Sequence, residues 1–519
     1  MSELTVEPAG VPRARQMLQR AAWATRTYAN YDVAAVRRIV TAVASVAESK
    51  AEHYAAWAVR ETGFGVVEHK VLKNRLCSRG LVDAYQAHDY VTPRVDEAQK
   101  VVEVPRPAGV IFALTPSTNP VSTVYFKVLL ALMTRNAIVL SPHPYAKECC
   151  ADAVHVLHVA AVEAGAPDGI IQVAEEPSIP LINALMSDPG TNVILATGGV
   201  PVVRAAYSSG NPAFGVGPGN VPVLVDATAD LPNAAKRLVD SKSFDNSVLC
   251  TSESVAIVEE QVADRFLREL ERQGAHVCSG DETTRLRDVV FMDGHFNTDM
   301  VGRAALDIAK RADVRCSPRT RVLVAPLDFA VPEEPLAHEK LCTVLGLVRV
   351  PTAARGIRTA AAVLRIGGAG HSAVIHSNDP KTVMAYAAAV PVLRVTVNAG
   401  GSTGSSGFDT NLAPSMTIGT GFVGRSSLGE NLEPKHLVNW ARIAYNSDPA
   451  EVMPSFAGLA PGHSPVGPVP AYPVASNLVG APQPAAGIAA AASDVDLREE
   501  IRRLVVEELA TIIRSRGHG

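Results

Sequence analysis

The feature that most constrains the fold is a regular alternation of short apolar segments and helical segments between residues 109 and 412. Gly109 to Leu114 is a continuous apolar run, typical of a strand buried on both faces, and Asn119 to Thr134 follows it with helical spacing. Strands that alternate with helices imply right-handed crossovers and parallel pairing. A second series begins near Val221. We therefore predict an α/β protein with two doubly wound parallel sheets.

Other segments surround this alternation. Helical spacing is found in Arg13 to Tyr28, Val33 to Glu61 and Val67 to Ala87, with Asp32 as a predicted N-cap and Gly63 as a predicted stop. Thr92 to Val104 is an extended stretch with apolar–polar alternation at Lys100 to Val104, and it predicts a β-ribbon.

Charge and composition exclude several classes of partner. The chain has 519 residues, more than one hydrophobic core usually supports, and 48 basic against 52 acidic residues give a net charge of −4. No global field attracts nucleic acid or an anionic membrane, and no apolar run approaches the roughly 18 residues of a membrane helix. The first twelve residues lack the pattern of a signal peptide. We expect a cytoplasmic protein with neither nucleic acid nor membrane as partner.

Cys250 is the best candidate for a reactive thiol. The seven cysteines form no C-x-x-C pair, so neither a disulfide framework nor a metal site is predicted. Cys250 lies in a polar stretch from Ser241 to Glu253 that leads into an apolar strand, and loop hydroxyls and free backbone N–H groups there can lower a thiol pKa. The alternative is a buried structural cysteine.

Asn119 is the candidate donor for the oxyanion that forms when a thiol attacks a carbonyl. It follows the first strand of the parallel sheet and begins a helix, where a carboxamide is well placed for that task. The alternative is that Asn119 only caps its helix.

Two familiar motifs are interpreted as coincidental. Gly419 to Gly424 spells G-x-G-x-x-G but lies outside any strand–helix–strand unit. Gly400 to Gly404 spells G-x-S-x-G after a strand, yet the residues after it indicate a loop instead of the required helix.

Several segments in chain order carry a resemblance to a known family. They are Asn119-Pro120, Ala196-Thr197-Gly198-Gly199, Gly215 to Pro222, Phe244-Asp245-Asn246 ahead of Cys250, His338 to Leu341, Gly367 to His371, Leu412 to Ser415 and Glu433 to Leu437. Over residues 12–446 the chain resembles the CoA-acylating branch of the aldehyde dehydrogenase superfamily. That branch includes half of the bifunctional aldehyde–alcohol dehydrogenases and the acylating enzymes of ethanolamine and propanediol microcompartments.

The resemblance implies roles for individual residues. Cys250 would attack a short-chain aldehyde, and Asn119 with the Cys250 backbone N–H would form the oxyanion hole. The cofactor would be NAD, with NADP possible, and coenzyme A would resolve the thioester as co-substrate. The implied cofactor-binding residues are Ser141, Pro142 and His143 at the adenosine ribose, Thr197, Gly198 and Gly199 at the phosphates, Gly217 in the following loop, and Glu339 at the nicotinamide ribose.

The sequence favours acyl-CoA over free acid as product. Acid-forming relatives place a water-activating Glu in the segment that corresponds to Val216 to Asn220, and no carboxylate occurs between Ala213 and Leu224. His371 is the candidate for helping to deprotonate CoA or for shaping its site, with a structural histidine as the alternative. The alternative functions are an acid-forming dehydrogenase and a non-catalytic shell-associated binding protein.

The family arrangement implies three parts and a homodimer or homotetramer. The NAD(P)-binding domain would comprise residues 1–88 and 109–226, and the catalytic domain residues 227–426. Residues 89–108 and 427–446 would form the oligomerisation ribbon.

The chain beyond residue 446 changes character. Nine prolines lie between Pro449 and Pro484, and residues 447–492 are predicted to be an extended linker. Residues 493–519 then predict an amphipathic helix, whose apolar stripe comprises Leu497, Ile501, Leu504, Val505, Leu509 and Ile512. The tail resembles encapsulation peptides, so we expect residues 493–516 to bind a microcompartment shell protein. The alternatives are docking on the chain's own body and pairing with another subunit's tail.

Overall fold

The computed structural model describes residues 8, 10–459, 462–465 and 471–473. In chain order its strands are β1 (Arg94–Asp96), β2 (Val101–Pro107), β3 (Val110–Thr115), β4 (Ala137–Pro142), β5 (Ile171–Val173), β6 (Val193–Thr197), β7 (Ala213–Val216), β8 (Val221–Val225), β9 (Glu253–Glu259), β10 (Ala275–Val277), β11 (Phe291–Met292), β12 (His295–Phe296), β13 (Val322–Pro326), β14 (Val344–Val350), β15 (Ala373–His376), β16 (Val395–Val397) and β17 (Val438–Ala444).

The α-helices are α1 (Val11–Tyr28), α2 (Val33–Ser49), α3 (Ala51–Thr62), α4 (Val67–Arg75), α5 (Leu81–Tyr85), α6 (Pro120–Met133), α7 (Lys147–Glu163), α8 (Ile179–Ser187), α9 (Val200–Tyr207), α10 (Leu231–Ser243), α11 (Glu260–Arg272), α12 (Gly280–Val290), α13 (Ala305–Arg311), α14 (Ala353–Ile366), α15 (Pro380–Ala389) and α16 (Gly401–Gly404). Among the described residues, no helix combines the length and the apolar character that crossing a membrane requires.

The first sheet has five parallel strands in the order β5-β4-β3-β6-β7. Every residue of β3 and β4 is buried, as expected for strands covered by helices on both faces. The chain runs outward from β3 in both directions, so the sheet has a topological switch point between β3 and β6. There the buried Lys127 donates from Nζ to Leu114 O at 2.7 Å and Leu195 O at 3.0 Å, which ties the two strands together.

The second sheet has seven parallel strands in the order β10-β13-β14-β9-β8-β15-β16. The two parallel sheets confirm the predicted doubly wound α/β class. Strand β8 pairs with β9 from Val221 onward, so it belongs to this second sheet. The change from one sheet to the other therefore lies between Val216 and Val221, ahead of the domain boundary predicted at residue 226.

The third sheet is an antiparallel ribbon in the order β1-β2-β17. Val438 pairs with Pro107 at one end and Ala444 with Val101 at the other, so segments far apart in sequence meet over their full length. The buried Asn136 joins the ribbon to the first sheet, because its amide donates to Leu437 O at 2.9 Å and accepts from Gly109 N–H at 2.7 Å. The oligomerisation role of this ribbon stays a prediction.

The amino-terminal helices follow the predicted caps, and the second and third of them are divided into shorter elements than predicted. Asp32 accepts from Ala35 N–H and caps α2, and Gly63 ends α3 in the left-handed region at φ 70°. The helix predicted from Val33 to Glu61 is broken at Lys50, and the helix predicted from Val67 passes through a π-helical turn at Leu76–Gly80. Apolar spacing did not reveal these breaks because the same face stays buried across them.

The proline-rich segment is not simply extended where the structure describes it. Lys100 Nζ donates to the carbonyl oxygens of Asp448 at 2.5 Å and Glu451 at 2.7 Å. His463 pairs with the turn before α2, and the Tyr472 ring meets Trp23 edge-on at 5.7 Å between centroids. The described residues of the predicted linker thus lie on the body of the protein, because backbone groups among them find partners there. The predicted amphipathic helix lies outside the described residues.

Candidate active site

A cavity of about 510 Å³ is lined by segments next to strands of both parallel sheets. The segments that follow β3, β4 and β6 line it from the carboxyl ends of the first sheet, which is where open α/β sheets bind ligands. The segments that precede β8, β9 and β14 line it from the amino ends of the second sheet. The cavity thus has one wall from each sheet.

Most of the residues singled out from the sequence line this cavity. They are Asn119, Ser141, Pro142, His143, Thr197, Gly198, Gly199, Gly217, Cys250 and Glu339. His371 does not line it. Residues that the family resemblance implied, from segments more than two hundred positions apart, thus line one cavity.

The first-sheet wall fits a dinucleotide. The Ser141 Oγ is buried and has no hydrogen-bond partner among the described residues, so it is available to a ligand hydroxyl. Gly199 precedes α9 without a side-chain cap, Pro201 has no N–H, and the Val202 and Val203 N–H groups donate to Gly199 O, so the Val200 N–H of the first turn is left for a phosphate. Thr197 and Gly198 lie beside it in the wall.

The second-sheet wall brings Glu339 next to the candidate thiol. The Glu339 Oε1 accepts from the Gly219 N–H at 3.0 Å. A Cβ on Gly219 would lie 1.9 Å from the Cys250 carbonyl oxygen, so only glycine fits between the two residues. Burial raises the pKa of Glu339 to about 8, against the lowering effect of the Gly219 N–H and of nearby lysines.

Cys250 is half-buried between the 3₁₀ segment Phe244–Ser247 and β9. Burial raises the pKa of its thiol to about 12, and the Glu339 carboxylate raises it further, whereas its own backbone N–H and Arg394 lower it. The expectation of a lowered thiol pKa is therefore wrong for this state. Removal from water outweighs the local N–H groups on which that expectation was based.

The Asn119 side chain does not cap its helix. It precedes α6 without a capping hydrogen bond, and its Nδ2 donates instead to Val248 O at 3.3 Å and to Thr118 Oγ1 at 3.2 Å. Both bonds are longer than the usual 2.9–3.0 Å, so they are weak and exchangeable. The Nδ2 group thus lies at the cavity wall beside the segment that carries Cys250.

The segment before Cys250 is strained. Asp245, Asn246 and Ser247 have φ values of 48°, 51° and 65°, a left-handed conformation that costs about 1–3 kcal/mol for each residue. Side-chain contacts hold it in place: Asp245 Oδ1 accepts from Val66 N–H at 2.7 Å, and Ser247 Oγ accepts from Lys242 Nζ at 2.8 Å. Such strain persists where a site must be held in one geometry.

His371 is buried and does not line the cavity, which agrees with the structural alternative for this residue. It is fully buried, its Nδ1 lies 3.0 Å from Ser372 Oγ, and its Nε2 has no partner among the described residues. Burial first and Arg394 second lower its pKa to about 3. The imidazole is thus neutral and separated from the cavity lining.

The two coincidental motifs do not supply a site. Ser402 is fully buried and donates to Ser241 O at 2.7 Å, and the short helix Gly401–Gly404 is followed by the predicted loop instead of the helix that the motif requires. Gly421 opens a 3₁₀ turn at Phe422–Gly424 with no α-helix after it among the described residues.

Sequence reasoning missed a buried polar cluster behind Asn119, which consists of Lys70, Lys73 and Asp245. The Lys70 Nζ donates to Asp245 Oδ2 at 3.0 Å, and the Lys73 Nζ donates to the same oxygen and to Asn119 Oδ1. Burial opposes the charge of Asp245, yet Lys73 and Lys70 lower its pKa. A lysine on a short helix gives no sequence signal that it is buried.

Comparison with known proteins gives a family match. Residues 4–410 match the aldehyde dehydrogenase family. The bifunctional aldehyde-alcohol dehydrogenase of Escherichia coli is 37% identical over 440 residues, which cover 83% of this chain and 49% of that enzyme. The chain thus spans about half the length of this curated relative.

Solved structures agree with this match. The crystal structure of an acetylating aldehyde dehydrogenase from Geobacillus thermoglucosidasius has a TM-score of 0.83 and 37% identity, covering 86% of this chain and 98% of that one. A propionaldehyde dehydrogenase from the fucose utilisation microcompartment of Clostridium phytofermentans has a TM-score of 0.77 and 26% identity, covering 83% and 97%.

Proposed function

The chain belongs to the aldehyde dehydrogenase family, and from this membership we propose that it converts a short-chain aldehyde and CoA to acyl-CoA, with NAD or NADP as hydride acceptor. The observation that carries the proposal is a single cavity that is lined by Cys250, by Asn119 and by the first-sheet wall, which fits a dinucleotide. The acetylating relative, nearly all of which the chain covers, supports the same reaction class.

The proposed reaction begins with Cys250. Its thiol transfers a proton to water, and the resulting thiolate sulfur attacks the aldehyde carbon, which places negative charge on the carbonyl oxygen. The Asn119 Nδ2 and the Cys250 backbone N–H donate to this oxyanion. Collapse of the thiohemiacetal releases a hydride and leaves an acyl thioester on Cys250. The CoA thiolate then attacks the thioester carbon, and Cys250 departs as its thiolate.

The dinucleotide is held, in this proposal, by the wall from the first sheet. Ser141, Pro142 and His143 contact the adenosine ribose, and Thr197, Gly198 and Gly199 meet the phosphates. Gly217 and Glu339 border the nicotinamide end. When bound, the nicotinamide supplies the hydride acceptor. His371 is assigned a role in shaping the chain near the site, because an imidazole buried away from the cavity is a poor base for CoA.

The alternative product is a free acid, which requires a base that activates water. The segment from Ala213 to Leu224 holds no carboxylate, but the cavity does contain Glu339 from a later segment. The Glu339 Oε1 already accepts from the Gly219 N–H at 3.0 Å, and this proposal assigns the carboxyl group to the nicotinamide end of the dinucleotide, so it is not placed to activate water. The geometry therefore favours the CoA thiol as the group that resolves the thioester.

Leaving CoA out of the assay should lower the steady-state rate of NADH or NADPH formation at pH 7 by at least about 10-fold, because thioester hydrolysis lacks an efficient base. The measurement is absorbance at 340 nm with acetaldehyde or propionaldehyde, with both dinucleotides, followed by mass spectrometry of the product. Equal rates without CoA, with free acid as product, would establish the alternative.

We propose in addition that residues 493–516 bind a microcompartment shell protein. The apolar stripe in the sequence and the microcompartment origin of one structural relative support this localisation. In cells that produce shells, the full chain should co-purify with them, while a chain ending at residue 492 should not. As a control, substitution of Arg502 and Arg503 on the polar face should preserve co-purification, whereas substitution of Ile501 and Leu504 should abolish it. Equal recovery of the truncated chain would refute the proposal.

A further inference from the structure

The proposed oxyanion donor is itself held by a buried ammonium group. Lys73 on α4 is 1% exposed, and its Nζ donates to Asn119 Oδ1 and to Asp245 Oδ2. An ammonium group has donors and no acceptor, so the end of the Asn119 carboxamide that faces it has to be the oxygen. The NH₂ end is thereby turned toward Val248 O and the cavity.

We propose that Lys73 is a positioning residue that fixes the orientation of the Asn119 carboxamide, so that its NH₂ group meets the oxyanion formed at Cys250. The inference rests on the proposed function. Without the ammonium group, either the oxygen or the NH₂ group of the Asn119 carboxamide can face α4. The flipped amide would present its oxygen to the developing negative charge and repel it.

Asp245 stabilises this arrangement electrostatically. Burial lowers the pKa of Lys73 to about 8, and the neighbouring Asp245 carboxylate opposes that change, so the ammonium form is retained at neutral pH. Asp245 is fully buried and lies in the strained segment that leads to Cys250. One carboxylate thus connects the helix that orients Asn119 with the segment that carries the nucleophile.

Lys70 provides a matched control from the same helix. It is 3% exposed and donates to the same Asp245 Oδ2, but its second bond is to Thr118 O at 3.0 Å instead of Asn119. Replacing Lys70 or Lys73 with methionine removes one buried charge from the same carboxylate. Only the second replacement removes the constraint on the carboxamide.

The test is a double-mutant comparison in the full chain, using kcat and KM for CoA-dependent NADH formation with acetaldehyde. Lys73→Met should lower kcat by about 10- to 100-fold with little change in the aldehyde KM, since it weakens an interaction made only in the transition state. In the Asn119→Ala background, Lys73→Met should lower kcat by less than about 3-fold, because the carboxamide that Lys73 orients is absent. Lys70→Met should instead lower kcat by the same factor in the wild-type chain and in the Asn119→Ala background.

A second readout separates positioning from general damage. Alkylation of Cys250 by iodoacetamide forms no oxyanion, so Lys73→Met should leave its rate within about 2-fold of the wild-type rate. If Lys73→Met does not fold, Lys73→Gln allows the same comparison, because its amide can face either end of Asn119.

Two results would overturn the inference alone: a fully multiplicative loss in the Asn119→Ala, Lys73→Met double variant, or a matching loss of alkylation rate. Wild-type kcat in Asn119→Ala alone would remove the proposed oxyanion role and this inference with it. Turnover without CoA would instead refute only acyl-CoA as the product, since Cys250 attacks the aldehyde before the step in which CoA takes part.

Discussion

Cys250→Ala is expected to lower the rate of CoA-dependent NADH formation by at least about 10⁴-fold, which corresponds to about 5 kcal/mol of transition-state stabilisation. Alanine removes the sulfur that forms the covalent bond to the aldehyde, and the other described residues that line the cavity include no second thiol. The measurement is NADH formation at saturating aldehyde, dinucleotide and CoA. Isothermal calorimetry should show that the variant still binds the dinucleotide.

Cys316 supplies the control for this experiment. It is half-buried like Cys250 but does not line the cavity, so Cys316→Ala should retain the wild-type rate. Activity of Cys250→Ala at the wild-type level would contradict the proposed nucleophile. The interpretation of the chain as a non-catalytic binding protein would be favoured if aldehyde oxidation were absent from the wild-type protein as well.

Asn119→Ala should reduce kcat by about 10²- to 10³-fold, the usual cost of removing one donor from an oxyanion hole. The aldehyde KM should change little, because charge on the carbonyl oxygen develops only as the thiol attacks. The cofactor-independent hydrolysis of p-nitrophenyl acetate should fall in parallel, since it passes through an oxyanion at the same thiol.

Asn119→Asp makes the test specific for the donor. Aspartate keeps the shape and the acceptor that faces Lys73, but it replaces the NH₂ group with a second oxygen. We expect a loss at least as large as that of alanine. A variant with aspartate that retained more than about one tenth of the wild-type kcat would show that Asn119 acts through its shape.

The parallel sheets could be predicted because their strands are continuous apolar runs, such as Val110–Thr115, separated by helices with clear periodicity. The meeting of Asn119 and Cys250 could not be obtained from their spacing, and the family resemblance supplied it. The buried position of Lys73 was missed for a physical reason. Lys73 is buried against Asp245, which lies in a strained loop. The residues of that loop with left-handed backbone are not glycines, so the sequence does not indicate its conformation.

The thiol pKa was misjudged for a related reason. The polar sequence around Cys250 indicated a solvated loop, whereas the folded chain encloses that loop between two sheets and raises the pKa. The composition of a segment describes which residues are next to the thiol in the sequence, whereas the desolvation of the thiol depends on which residues surround it in the folded structure.

The pairing of β2 with β17 has a consequence for biosynthesis. In the sequence, the segments that form both parallel sheets lie between β2 and β17, so β17 leaves the ribosome long after β2. At roughly 5–20 residues added per second, the delay is tens of seconds. During that interval the inner edge of β2 has no partner and Asn136 lacks the Leu437 carbonyl, so the nascent chain exposes an open strand that chaperones or a neighbouring nascent chain can engage. Closing this ribbon is therefore the step at which we expect co-translational misassembly to compete with folding.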